Sequence, residues 1–359
     1  MNFLDLKLET VTPVFLAGAN QREVEVRAPS VKGLLRWWWR ASEGHRFSSP
    51  TTLAEAEAYL FGSAALKLRS PLQVDVRVRA AAPEPIPRGQ VAPTSSAQYS
   101  FRQRDRREGT IREGRAQAVH YLGYGPIRIP IGQERAAAEQ GRDPALLGPD
   151  RRPRRTAVYV RPALAPRTPL ALRLAWPHRR LESRQLDELW RTCAAWLALG
   201  GLGCRSRKGF GSLDLVGVEA SDDQLQEHAG RVLRERMEEL HASGEQLPRP
   251  LPRWPQVKYR RILHITDSKG SWEEALGALA LAYREVRPRQ HDRQRRFICG
   301  EAEPRRASSV LLSVHRQGQR FIGLMVALPC WKGETVEARE AWSDFLGLGH
   351  DAPGGRERG

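Results

Sequence analysis

Residues 3–9 alternate, with Leu4, Leu6 and Leu8 separated by Asp5, Lys7 and Glu9 after Phe3, and this period of two predicts a strand with one buried face. Apolar residues then recur every three to four positions. Pro29-Ser30 followed by Val31 to Ala41 predicts a helix with Ser30 as N-cap, and a second helix is expected over Leu53 to Leu60. Alternation returns at Leu72, Val74, Val76 and Val78, and again from Leu170 to Trp176. Ser183 opens a helix whose apolar face is Leu186, Leu189, Trp190, Cys193, Ala194 and Leu197, and Gly200-Gly201 closes it ahead of a strand over Phe210 to Val218.

In chain order the first 218 residues therefore read β, α, (α), β, long insertion, β, α, β, the split βαβ or ferredoxin-like order, which makes the fold class α+β. The insertion spans about Ala80 to Thr156. It is rich in Arg, Pro, Gly and Ala and is interrupted by the island Val119 to Tyr124, so irregular, partly mobile loops are expected there. An amphipathic helix from Asp222 to Leu240 and the proline-rich stretch Leu247 to Pro255 form a linker over 219–256. Residues 257–359 repeat the pattern in short form: a strand over Tyr259 to Thr266, a helix over Trp272 to Val286, and a hairpin from Val310 to Val314 and Phe321 to Leu328. Two ferredoxin-like domains are expected, 1–218 with long insertions and a smaller one over 257–359.

Charge narrows the partner. Among 359 residues, 58 Lys and Arg face 41 Asp and Glu, a formal charge of +17 carried almost wholly by arginine. Planar guanidinium groups match phosphate, so nucleic acid is the expected partner. Cys193, Cys204, Cys299 and Cys330 have no metal-ligand spacing and are expected to be reduced, buried thiols. No metal or cofactor is expected. The start of the chain lacks a signal-peptide pattern and no apolar run reaches about 18 residues, which predicts a cytoplasmic protein without a membrane partner.

Three constellations carry candidate chemistry. On the helix after Pro29, Lys32, Arg36 and Arg40 align at i, i+4 and i+8 opposite Val31, Leu34, Leu35 and Trp38, with Trp37 and Trp39 at the borders. Gly33 opens the first turns of that helix to an approaching phosphate. The loop Gly200 to Ser212 sets five glycines around Arg205, Arg207 and Lys208, the composition of an anion-binding nest without nucleotide P-loop spacing. Arginine runs form the third: Arg102, Arg104, Arg106, Arg107, Arg112 and Arg115 ahead of Tyr121 and Tyr124, then Arg151 to Arg155, then Arg287 to Arg296. Cations interleaved with aromatics suit single-stranded RNA, which singles out Tyr121. Helix and glycine loop are expected to form one basic cleft. Catalytic patterns are sparse: His45 and His120 could serve as acid and base for metal-free RNA cleavage, which leaves a metal-independent endoribonuclease as the alternative.

The segments Leu8 to Gly18, Arg27 to Arg40, Leu60-Phe61-Gly62-Ser63, Tyr121 to Gly125 and Gly200 to Gly211 resemble the RAMP superfamily of CRISPR-associated proteins, and more narrowly the first subunits of type III-B (Cmr) effector complexes. That resemblance implies two ferredoxin-like, RRM-related domains and a non-catalytic RNA-binding subunit. Such a subunit sits at one end of a ribonucleoprotein for antiviral defence, near the guide RNA 3′ region and the paired target RNA, beside other RAMP subunits. The target-cutting aspartate belongs to a different subunit of that assembly. Cys204 departs from the pattern, where a small residue such as alanine is expected.

Overall fold

The computed structural model describes residues 1–18, 22–79, 82–104, 111–130, 136, 138–248, 252, 254–287, 298–299, 307–330, 342 and 345–346. In the first half the elements are β1 (Asn2–Thr10), α1 (Ala28–Glu43), α2 (Pro50–Phe61), β2 (Gln73–Val78), β3 (Gln98–Arg104), β4 (Ile111–Gln117), α3 (Ala118–Leu122), β5 (Ile127–Arg128), β6 (Val158–Tyr159), β7 (Pro169–Trp176), α4 (Ser183–Leu199) and β8 (Leu213–Ala220). There follow α5 (Asp223–Glu239), β9 (Arg261–Ile265), α6 (Trp272–Val286), β10 (Val310–Gln317) and β11 (Arg320–Ala327).

The fold class is α+β. Its larger sheet has the antiparallel order β2-β7-β1-β8, the order in which a split βαβ unit lays its strands. Leu6 pairs with Leu172 on one side and Val218 on the other, which sets the alternating leucines of β1 and β7 on one face. That face is dry: Leu4, Leu6, Leu8, Leu170, Leu172 and Leu174 are buried against Leu35 and Trp38 of α1 and Leu189, Cys193 and Trp196 of α4. The smaller sheet has the order β10-β11-β9, with α6 packed on it. Two large apolar clusters hold the molecule together, and each draws on both halves. Leu311, Leu324, Val326 and Leu328 join the first, while Val11, Phe15 and Phe210 join the second. No helix among the described residues is long and apolar enough to cross a membrane.

The local rules differ from expectation at three places. Helix α1 starts earlier than Ser30: Arg27 is its N-cap, with no side-chain cap bond, and Pro29 stands in the first turn, where its missing N–H costs nothing. Helix α4 is capped by Glu182, whose side chain and that of Gln185 form a reciprocal capping box. The insertion is also more ordered than its composition implies. Strands β3 and β4 make a hairpin from Gln98↔Gln117 to Arg104↔Ile111, and it docks on α6. Ser96 donates from its N–H and Oγ to Glu274 at 2.7 and 2.6 Å, and the Arg284 guanidinium lies 3.4 Å from the Tyr99 ring centre.

Candidate nucleic-acid interface

Helix α1 buries Val31, Leu35, Trp38 and Trp39, which leaves Lys32, Arg36 and Arg40 on its partly exposed side. The aligned cations do not stand free. Arg36 Nε donates to Glu57 Oε1 at 2.6 Å and Arg40 Nη1 to Glu57 Oε2 at 2.7 Å, so two guanidinium groups share one carboxylate whose side chain is only 4% exposed. Burial of Glu57 is tolerated because both of its oxygens are engaged by cations. Lys32 Nζ donates to Ser70 Oγ at 2.8 Å and to the Leu72 carbonyl at 3.0 Å. Burial and the neighbouring Arg36 hold the Lys32 ammonium below its ordinary pKa.

These contacts fix the helix against the turn that follows Phe61. Ser63 and Leu68 close that turn with reciprocal backbone bonds of 2.9 Å, and Lys67 adopts the left-handed conformation at φ 51°. Lys67 and Arg69 are exposed and make no ion pair among the described residues. Between helix and turn lies an open cavity of about 530 Å³ lined by Arg36, Ser63, Lys67, Arg69 and Ser70, with no carboxylate in its wall. A second cavity of about 430 Å³ shares Arg36 and Ser63 and continues along α1 past Trp37, Arg40 and Glu57 to Trp254. Together they form a groove with four cations to one carboxylate. Gly33 is exposed, and an added Cβ would meet nothing within 4 Å.

The glycine loop does other work. Arg207 lies over the Trp37 ring at 4.6 Å and donates from Nη1 to the Ser308 carbonyl at 2.8 Å, and burial holds its pKa down. Lys208 Nζ is 2.5 Å from Tyr283 Oη, and burial pulls its pKa down to about 7. Of the three loop cations, Arg205 alone makes no side-chain hydrogen bond among the described residues; its carbonyl accepts from the Lys208 N–H, and its guanidinium lies beside Gly125. The single cleft expected from helix and loop is thus divided. Trp37 joins the two through Arg207, but Lys208 is turned into the second half of the molecule, where an aromatic hydroxyl satisfies it. Trp39, 1% exposed, is core, and Trp37 has one ring face covered by Arg207.

Tyr121 is half-buried between Tyr99 and Tyr283, and its hydroxyl accepts from Arg287 Nη1 at 2.6 Å. The exposed aromatic of that island is Tyr124, at 63%. Of the arginine runs, Arg106 and Arg107 lie outside the described residues, as do those of the third run beyond Arg287. His45 Nδ1 donates to the Ser42 carbonyl and His120 Nε2 to the Pro93 carbonyl. Burial lowers both pKa values, and the two stand on separate elements, His45 on the 3-10 turn that follows α1 and His120 on α3. Among the described residues no cluster of His, Cys, Asp and Glu could hold a metal. Cys193, Cys299 and Cys330 are buried thiols, whereas Cys204 is exposed, contrary to expectation, because it occupies the turn that bridges to Phe15.

Lys67 and Arg69 were not among the residues the sequence singles out. Their signal is the Leu60-Phe61-Gly62-Ser63 motif, which marks the tight turn that presents them.

The family profile of the RAMP superfamily matches residues 7–214. Over 311 residues the chain is 25% identical to the CRISPR system Cmr subunit Cmr1-1 of Pyrococcus furiosus, covering 82% of this chain and 75% of that relative. Its fold is similar to that of a chain in the type III-B Cmr-beta complex bound to cognate target RNA and AMPPnP, with a TM-score of 0.53, 13% identity, and 96% and 99% of the two chains covered. Against the crystal structure of Cmr1 from Pyrococcus furiosus in its apo form the TM-score is 0.49, at 21% identity and 97% coverage of both chains.

Proposed function

Since the chain belongs to the RAMP superfamily, we propose that it is a non-catalytic, RNA-binding subunit of a type III-B CRISPR ribonucleoprotein. In this reading two ferredoxin-like domains hold the guide RNA 3′ region and the target RNA paired to it, at one end of a cytoplasmic complex of other RAMP subunits. The likeness to the Cmr subunit of Pyrococcus furiosus supports the assembly.

The observation that carries RNA binding is the groove between α1 and the turn after Phe61, where four cations face one carboxylate. Phosphates of a nucleic-acid backbone suit it, because exposed Lys67 and Arg69 offer charge at little desolvation cost and Arg36 is already oriented by Glu57. Such contacts position a strand without reading its bases. Binding to the backbone releases counterions, so affinity falls steeply with salt.

The test replaces Arg36, Lys67 and Arg69 together by Ala and follows fluorescence anisotropy of single-stranded and duplex RNA across a salt series. Arg40 keeps Glu57 paired, so the fold is retained and thermal unfolding checks it. Affinity is expected to fall on the order of a hundredfold, with the salt slope lower by about two to three units. Unchanged affinity in a folded variant removes the groove from the assignment. RNA that shortens in EDTA, read on a gel of the same samples, removes the non-catalytic part.

A further inference from the structure

A further cationic cavity lies beyond the C-terminal end of α1 and shares no lining residue with the groove. It measures about 830 Å³ and is walled by the last turn of α1 and the 3-10 turn after it, by α4 and α5, and by the segments around Gly244 and Lys258. Arg46, Arg184, Arg191, Arg236, Lys258 and Arg260 reach it from these elements. Four carboxylates answer them. Glu43 accepts from Arg46 and Arg191, Glu188 from Arg46 and Arg184, Glu239 from Arg236, and Glu245 pairs with Lys258. Six cations to four carboxylates leave a positive excess inside a concave wall, where low dielectric strengthens it.

Arg260 locates the excess. It is 6% exposed and spends its donors on neutral carbonyls, those of Leu240 and Val257 at 3.3 Å and of Glu239 at 2.5 Å. Among the described residues it has no carboxylate within ion-pair distance. Buried charges are ordinarily paired, and an unpaired guanidinium at a cavity wall is the feature that an anionic ligand would complete. Burial and the neighbouring Arg236 pull its pKa down to about 10, in keeping with that deficit.

We propose that this cavity binds a phosphorylated ligand of nucleotide size, its phosphates held by Arg260, Arg236 and Lys258 with Arg184 at the mouth. The volume falls within the range of small-molecule sites. The wall offers no aromatic surface except the imidazole of His45, so phosphate number and not the base sets affinity. The same chemistry comes from a free nucleotide or from the phosphorylated end of an RNA strand.

The test is calorimetric titration of the full chain with ATP, GTP, AMP and adenosine at moderate salt, and of the double variant Arg184→Ala with Lys258→Ala, both at the cavity rim. ATP and GTP are expected to bind alike, AMP more weakly and adenosine not at all. The double variant should weaken ATP by at least about tenfold, whereas Arg36→Ala in the groove leaves it unchanged. A 5′-phosphorylated dinucleotide that displaces ATP, where its 5′-hydroxyl form does not, assigns the source to an RNA end; failure to displace assigns it to the free nucleotide. Absence of ATP binding, adenosine binding as tight as ATP, or equal loss in Arg36→Ala and the double variant overturns the proposal. None of these readings depends on whether the groove binds RNA.

Discussion

The groove beside α1 and the loop from Gly200 to Ser212 are built from the same ingredients, glycine with closely spaced cations, yet the fold uses them in opposite ways. On α1, one turn before Arg36, Gly33 has open space above it, and in the groove itself Lys67 and Arg69 are exposed. In the loop the glycines are filled positions: a Cβ on Gly211 would stand 1.9 Å from the Leu202 carbonyl oxygen, and one on Gly203 would stand 2.5 Å from that of Phe15. Both take positive φ, at 75° and 86°. The loop cations Arg207 and Lys208 are tied to Ser308 and Tyr283, across the boundary between the two halves. Composition marks where backbone and charge are concentrated. Whether they face a ligand or a neighbouring element depends on what the rest of the chain packs against them.

The largest expected effect follows from the loop's crowding. Gly211→Ala places a methyl group into the Leu202 carbonyl at a left-handed φ that an L-residue resists, and backbone cannot rotate away as a side chain can. Stability should fall by at least about 3 kcal/mol, summing the conformational cost and the clash. Denaturant unfolding measures it. A loss below about 1 kcal/mol would mean the loop yields easily and is no strut.

Lys208 gives the next effect, and it depends on pH. Its folded-state pKa of about 7 lies below the ordinary lysine value of 10.5, so across that interval the unfolded chain binds more protons than the folded one. Stability from this group is complete above the unfolded value and is lost as pH falls towards 7. Raising pH from 7 to 9 therefore adds about 2 kcal/mol through Lys208. Lys208→Met removes that increment, because an unbranched apolar chain fills the space without a charge to desolvate. The two unfolding curves should converge with rising pH, while RNA affinity stays as in the parent. Parallel pH profiles would place the ammonium in water and return the loop to the list of anion sites.

These contrasts also show what could be read before the structure. β1, α1, α4 and β7 are legible because a buried face imposes its period on consecutive residues, and Leu4, Leu6 and Leu8 need no distant information. The hairpin β3–β4 was hidden because β4 carries Arg112, Glu113, Arg115 and Gln117 and alternates almost nothing apolar; it is held by docking Tyr99 and Ser96 on α6, a tertiary cause. The same limit governs the site. The i, i+4, i+8 spacing put Lys32, Arg36 and Arg40 on one helix side, but Glu57, which orients two of them, stands on α2 and no local pattern announces the pairing. Lys208 was misplaced for the equivalent reason, since Tyr283 is 75 residues away.

The smallest effect is the sharpest test of the groove. Gly33 lies inside α1, exposed, with no positive φ and nothing within 4 Å of an added Cβ. On helix propensity alone Gly33→Ala should stabilise the protein by roughly 0.5–1 kcal/mol. A glycine that costs stability and fills no packing need makes physical sense where something must come close to the helix backbone. If that is an RNA phosphate approaching α1 beside Lys67 and Arg69, the methyl group holds it back. RNA affinity should then drop by about two- to fivefold, of order 1 kcal/mol or less, while thermal stability rises. Opposite signs for folding and binding cannot come from a general loosening of the protein. If affinity is unchanged in the stabilised variant, the strand keeps clear of the helix backbone, and the groove's contact surface is the side chains of Arg36, Lys67 and Arg69 alone.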